Sequence, residues 1–313
     1  MTTTEVIEST TQGLIPLSRD LRSAAATLSE AEARFLVDFY YQMQKDRIRA
    51  ENQVRSIGQT TIPCADCEDG QVSPGPFLAD CDTCDGTGFK AGEPHELLVW
   101  LNTNTKSLEN RIKSGLDVYS RSSELGRWAR SVTGIGPVIA AGLLAHIDIS
   151  RAPTAGAIWR FAGLDPSQTW EKKTKRPWNG KLKTLCWKAG ESFVKVKGRD
   201  SDFYGHKYEE RRAYEEAKNE QGDYQGQAEA MLEAKRIGKD SLAYKSYSVG
   251  KLPAGQLYSR AKRWAVKLFL AHYFAVGYEI MYDRKPPEPY ILSAAPDDVR
   301  ASHVHYIAPP GWR

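Results

Sequence analysis

Apolar residues recur three and four positions apart through much of the chain, the period of a helix with one buried face. From Ser29 onward, Ala31, Phe35, Phe39, Met43 and Ile48 fall on one stripe running toward Arg55, and Ser29 with Glu32 has the spacing of a capping box. A second helix is predicted from near Pro94, with Leu97, Leu98, Leu101, Leu108 and Ile112 on its stripe and a polar break at Asn102 to Thr105. Gly126 to Val132 reads as a short lead-in helix, and Val138, Ile139, Ala141, Leu143, Leu144 and Ile147 form a helical run too apolar for all of it to face one core. Residues 204–250 carry Glu and Lys at helical spacings with few large apolar residues, which predicts exposed helix divided at Gly222 and Gly226. Trp264 to Tyr282 approaches the length of a membrane span, but Lys267, His272 and Glu279 interrupt it, so it reads as a buried amphipathic helix and no membrane segment is expected.

These runs predict a mainly α fold: an antiparallel helical arm over 28–125, carrying a cysteine module at 64–90, followed by a helix-hairpin-helix domain over 126–284. The Ser- and Thr-rich residues 1–27 are expected to be disordered, apart from an apolar dock at Leu14 to Leu17, and the Pro-rich tail 285–313 to be extended.

The hairpin expectation rests on Gly134-Ile135-Gly136-Pro137. Glycine supplies a positive-φ turn and bare backbone, proline suits the first helical position, and the next N–H groups point outward toward an anion. Gly134, Ile135, Gly136 and Val138 are therefore candidate backbone contacts to a phosphate. An ordinary αα-hairpin inside a helical core has the same look, so the neighbouring residues decide. The formal net charge is only +4, so any strong field must be local. Between Thr169 and Arg199 there are ten Lys or Arg against two acids, Glu171 and Glu191. Lys172, Lys173, Lys175, Arg176, Lys181 and Lys183 lead this group, interleaved with Trp170, Trp178, Trp187 and Phe193. Cations neutralise phosphates and aromatic faces stack on bases, so DNA or structured RNA is the expected partner.

The run GIGPVIAAGLLAHI, then DISRAPTAGAIWRFAGLDPSQ, a basic loop and NGKLKTLCWKAGESF resemble the C-terminal domain of the bacterial insertion-sequence 110/116/902 transposases. The resemblance spans about 130–200, with a weaker counterpart at Ser259 to Tyr290. It implies DNA strand exchange guided by a structured RNA, a serine nucleophile in this domain and an acidic RuvC-like domain before it. About four residues after Pro166, where that family carries a Ser-Ser-Gly-like segment, this chain reads Trp170-Glu171-Lys172, and no apolar strand bearing an early Asp precedes it. Ser167 and Thr169 are the nearest hydroxyls, and a serine or threonine needs an activating base or metal to attack.

Cys64-x2-Cys67 and Cys81-x2-Cys84 lie thirteen residues apart beside Gly70, Gly86 and Gly88, the spacing of two knuckles closing a four-thiolate site. Structural Zn²⁺ is expected there, with two disulfides or an iron–sulfur cluster as alternatives. CDTCDGTGF resembles half of the zinc domain of the J-protein co-chaperones, implying shared knuckle geometry. Six acids and only Lys90 as a base fill Cys64 to Lys90, so the module repels phosphate and suits a structural or protein-docking role. The arm is expected to act as a spacer or as a surface for self-association or a protein partner.

Three function classes follow. The first is a cytoplasmic nucleic-acid-binding protein of DNA recombination or mobile-element and phage transactions, lacking its own cleaving centre. The second is an active serine-type recombinase, and the third a zinc-dependent assembly factor.

Overall fold

The computed structural model describes residues 17–73, 78–234, 237–287 and 308–312, and these are mainly helical. Residues 1–16 of the segment expected to be disordered lie outside the described residues. The remainder forms helix α1 (Arg19–Ala24) and a 3-10 turn (Ala25–Thr27), because Ser18 Oγ accepts from the Leu21 N–H at 3.1 Å and caps the first turn. Helix α2 (Glu30–Gly58) opens on the expected capping box: Ser29 N–H donates to Glu32 Oε2 at 2.8 Å and Glu32 N–H to Ser29 Oγ at 3.3 Å. Its buried positions are Ala33, Val37 and Tyr40, whereas Phe35 and Ile48 of the expected stripe are exposed. Two i, i+4 series interleave on this helix, and periodicity does not choose between them; Phe35 and Phe39 stack on each other instead, at 6.0 Å.

The chain forms two compact units, the first from Phe35–Gly115 with the described part of Met1–Ala24, the second from Ala25–Arg34 and the described part of Leu116–Arg313.

In the first unit, α2 is followed by strands β1 (Thr61–Pro63), β2 (Gln71–Val72), β3 (Ala79–Asp80) and β4 (Phe89–Ala91), then by helix α3 (Glu96–Ser122). β1 pairs antiparallel with β4, Thr61 opposite Ala91, which sets the end of α2 beside the start of α3. Farther along, Arg47 Nε meets the buried carboxylate of Glu109 at 2.6 Å, so the helices run antiparallel through this unit. The polar Asn102 to Thr105, which interrupt the apolar stripe, lie inside this continuous helix. Thr103 Oγ1, Asn104 Nδ2 and Thr105 Oγ1 donate to the carbonyls of Val99, Trp100 and Leu101 at 2.9, 2.8 and 2.7 Å, so these polar side chains bond within the helix rather than ending it.

The second unit contains α4 (Glu124–Ser131), α5 (Pro137–His146), a 3-10 turn (Ile149–Arg151), α6 (Ala155–Phe161), α7 (Gly180–Val196), α8 (Phe203–Glu220), α9 (Gln225–Ala234), α10 (Leu242–Tyr247) and α11 (Ala254–Tyr282). α11 is the axis against which α4, α6, α7 and α8 pack. Its Phe269 is fully buried, stacked on Trp128 at 6.1 Å and touched edge-on by Phe193 and Tyr204 at 5.5 and 5.3 Å. Burying each such side chain contributes roughly 1.5–3 kcal/mol. Tyr204 Oη and His272 Nδ1, both buried, share a hydrogen bond of 2.7 Å.

The charged segment 204–250 is less exposed than its composition predicts. Tyr204, Tyr208 and Tyr224 are buried, and so is Glu215, whose carboxylate receives Arg211 at 2.7 Å, Arg260 at 2.8 Å and the Tyr224 hydroxyl at 2.5 Å. Of the C-terminal tail, 288–307, including His303 and His305, lie outside the described residues. Residues 308–312 are held by Trp128 Nε1 donating to Pro310 O at 3.0 Å and Trp312 Nε1 donating to Glu279 at 2.7 Å.

Candidate nucleic-acid interface and metal centre

Between α4 and α5 the chain turns through Gly134, whose φ of +95° is the left-handed conformation that glycine supplies freely. A side chain there would also press on Phe193 and Val196, since its Cβ would lie 3.3 and 3.2 Å from them. The turn is braced from inside: Ser192 Oγ donates to Gly134 O and Arg130 to Ile135 O, both at 2.5 Å. Gly136 caps α5 without a side-chain bond and Pro137 takes the first position. The first bond across the start of that helix is Ala140 N–H to Gly136 O, which leaves the Val138 and Ile139 amides ahead of it. The side chains of Ile135 and Val138 are buried, so any contact these two residues make with a ligand is through backbone.

The basic stretch is a loop closed at its base. Asn179 N–H donates to Phe161 O at 2.8 Å, and Trp178 covers Gly163, which sits at φ +65°. Within it Lys172, Lys173, Lys175 and Arg176 are exposed, and Lys181 and Lys183 are exposed at the start of α7, where Asn179 Oδ1 caps the helix by accepting from Lys181 and Leu182 N–H. Two of the three tryptophans interleaved in sequence are stacked against these cations in space. Arg176 lies over the Trp170 ring at 5.1 Å and Lys183 over Trp178 at 4.2 Å. Trp187, one turn beyond Lys183, exposes 60% of its surface.

Ser167 Oγ donates to Asp165 Oδ1 at 2.7 Å, and the Ser167 N–H reaches the same oxygen at 3.0 Å, the geometry of an Asx turn. Those bonds, assisted by Arg160, hold the Asp165 carboxyl below its usual range. Thr169 is exposed on the same loop.

Two further cations, which sequence spacing alone does not connect to the loop, complete the basic face. Lys267 of α11 lies 4.4 Å over the Trp159 ring, and Trp159 Nε1 donates to Lys267 O at 2.9 Å. Arg263, one turn earlier on α11, is exposed. Burial lowers the Lys267 ammonium, with Arg263 adding to the shift against the opposing pull of Asp165; burial likewise lowers Lys183, with Arg263 and Arg176 adding to it. The signal in the sequence is the Arg260, Arg263, Lys267 spacing on a helix otherwise dominated by apolar positions.

In the first unit, the sulfur atoms of Cys64, Cys67, Cys81 and Cys84 all lie within 4.8 Å of one another, close enough to hold a metal ion. The Cys64–Cys81 and Cys67–Cys84 separations are 3.9 and 3.6 Å. Disulfide sulfurs would be about 2.05 Å apart, whereas four ligands at about 2.3 Å from a tetrahedral centre stand about 3.8 Å apart. Left-handed turns at Gly70, Gly86 and Gly88 fold the two knuckles together, and the Gly88 N–H donates to Cys84 Sγ at 3.3 Å. Burial and the facing sulfurs push the Cys67 thiol up to about 12. Burial would raise Cys84 too, but the Gly88 N–H and those sulfurs bring it down to about 7.

Residues 127–199 match the model of the Transposase IS116/IS110/IS902 family. The matched segment runs from within α4 through the Gly134 turn, α5, α6 and the basic loop to just past α7. The cysteine cluster and the α11 cations lie outside it. No curated protein and no solved structure matches the chain. Among the described residues, no helix is long and apolar enough to cross a membrane.

Proposed function

We propose that the chain is a nucleic-acid-binding protein, most naturally DNA-binding, that acts in recombination or in mobile-element and phage DNA transactions in the cytoplasm without a strand-cleaving centre of its own. The observation that carries this reading is that the segment similar to transposases is also where exposed cations and tryptophans interleave. Backbone amides after the Gly134 turn and the side chains of Lys172, Lys173, Lys175, Arg176, Lys181 and Lys183 would take phosphates, and Trp170 and Trp187 would lie against sugars or bases. The absence of cleavage is supported by Ser167, whose hydroxyl is engaged in an Asx turn with Asp165.

Affinity for a duplex should fall steeply as salt rises, and Lys172, Lys173, Lys181 and Lys183 changed together to Glu should abolish it. Binding that ignores salt would sink this reading. A covalent protein–DNA adduct on a terminal junction would instead favour an active recombinase.

The four-cysteine cage would take Zn²⁺ as a structural ion, since four thiolates saturate it and leave no position open for substrate. Metal analysis of the purified chain tests this, one zinc per chain being the expected result.

A second role for the arm is supported by Leu97, Trp100 and Leu101, exposed one turn apart on α3. They would serve self-association, which Leu97→Lys with Leu101→Lys should weaken in sedimentation experiments.

A further inference from the structure

Several cations of the second unit face a carboxylate: Lys262 faces Glu191, Lys197 faces Glu209, Arg211 and Arg260 face Glu215. Arg176, Lys183, Arg263 and Lys267 differ. Among the described residues none of the four makes an ion pair with a carboxylate, and three of them are stacked on tryptophan rings, at 5.1 Å for Arg176, 4.2 Å for Lys183 and 4.4 Å for Lys267. They come from three separate stretches of chain, the loop, α7 and α11, and are brought together by packing. Lys262 against Glu191, together with a Gly190 Cβ position only 3.1 Å from Val266, holds α7 against α11. Asp165, whose charge reaches Lys267, is already engaged by Ser167 and by Arg160 at 3.8 Å.

Gathering like charges costs stability, and here no ion-paired carboxylate offsets it. The stacked rings fix where the cations point but do not cancel their charge. The depressed ionisation of Lys183 and Lys267 is what burial and such crowding produce, and an anion placed among them would reverse it. Trp187, one turn from Lys183 and 60% exposed, offers an apolar face beside the charges. Charge that seeks an anion and an adjoining aromatic face together fit a sugar–phosphate chain better than a free anion.

We propose that Arg176, Lys183, Arg263 and Lys267 form one phosphodiester-binding site shared by the basic loop, α7 and α11, so that the nucleic-acid face extends beyond the transposase-like segment onto the last helix. The proposal rests on the nucleic-acid reading above, but the two fail differently. The chemistry recognised is the backbone phosphate that DNA and RNA share.

The test measures affinity against salt for a duplex DNA and an RNA hairpin of similar length, using the full chain and three variants. Arg263→Gln with Lys267→Gln should make the slope of log affinity against log salt shallower by roughly 1.8 for duplex DNA, at ~0.9 for each phosphate no longer neutralised, and should lower affinity about tenfold or more at low salt. Arg263→Lys with Lys267→Arg keeps the charges and should keep the slope, which a purely structural role for these side chains would not allow. Glu210→Gln, a charge change on α8 outside the site, should leave the slope unchanged. If the chain binds and the Gln pair retains the full slope, the proposed site is overturned while the nucleic-acid reading stands. If the unaltered chain binds neither DNA nor RNA at low salt, both fall. A lower slope on DNA alone, or on RNA alone, supports the site and names the source of its phosphate.

Discussion

Trp178 lies directly on Gly163: a Cβ added to that glycine would sit 2.7 Å from the indole ring. This packing closes the base of the basic loop, and the same ring carries Lys183 on its face at 4.2 Å. Gly163→Ala meets two penalties, the φ of +65° and the ring itself. A loss of about 1–3 kcal/mol in urea unfolding is expected, with weaker nucleic-acid binding at matched salt. Unchanged stability and affinity would show that the loop does not depend on the indole seated on Gly163.

The five cysteines should react in stages. Cys186 is 1% exposed in the core of the second unit, so a reagent in solution does not reach it while the chain is folded. A thiol reagent should find none of the five in the metal-loaded chain, four after chelation and the fifth only in denaturant. Four reactive thiols before any chelator is added would remove the metal from the account.

Glu215 should leave a signature in acid. Burial alone would raise its carboxyl, but the Tyr224 hydroxyl, then Arg260 and Arg211, outweigh burial and hold it below the usual carboxylate value. A group depressed on folding contributes stability above its unfolded pKa of about 4.3 and loses it as pH falls through the lower folded value. Glu215→Gln should flatten that part of the stability profile. Glu215→Ala should cost about 3–5 kcal/mol at neutral pH by leaving two partly buried guanidiniums without their anion. An unchanged acid limb in the Gln variant would contradict the network.

Ser167→Ala separates turn from chemistry. Removal of the bond to Asp165 should cost under about 1 kcal/mol in a melt and leave nucleic-acid affinity unchanged. Disappearance of a strand-transfer product in that variant would show that Ser167 is a nucleophile.

Local chemistry is legible in the sequence wherever one short segment contains its own reason. The Ser29–Glu32 box, Pro137 at the start of α5 and the paired cysteines are of this kind, and each is found in place. Features that depend on a partner far along the chain are not. Periodicity puts Phe35 and Ile48 on the buried stripe of α2 because it counts residues without knowing which neighbour they meet. Asn102 to Thr105 interrupt the apolar stripe of α3, and periodicity does not say where their polar groups go; three of them bond back one turn. Segment 204–250 reads as solvated because its acids are many, yet Glu215 is buried by arginines and a tyrosine that composition cannot pair. Arg263 and Lys267 are hidden for the same reason, being two cations in an apolar helix that becomes part of a charged face only after α7 packs on it.

The division of the basic face between α7 and α11 ties occupancy to folding. A ligand held by side chains from both helices has its full set of partners only while they are packed together, and it therefore favours the folded chain by RT ln(1 + [L]/Kd). At a ligand concentration of about a hundred times Kd that is about 2.7 kcal/mol. Thermal melting of this protein would then serve as a binding assay, with the transition moving upward as nucleic acid is added and moving back as salt displaces it.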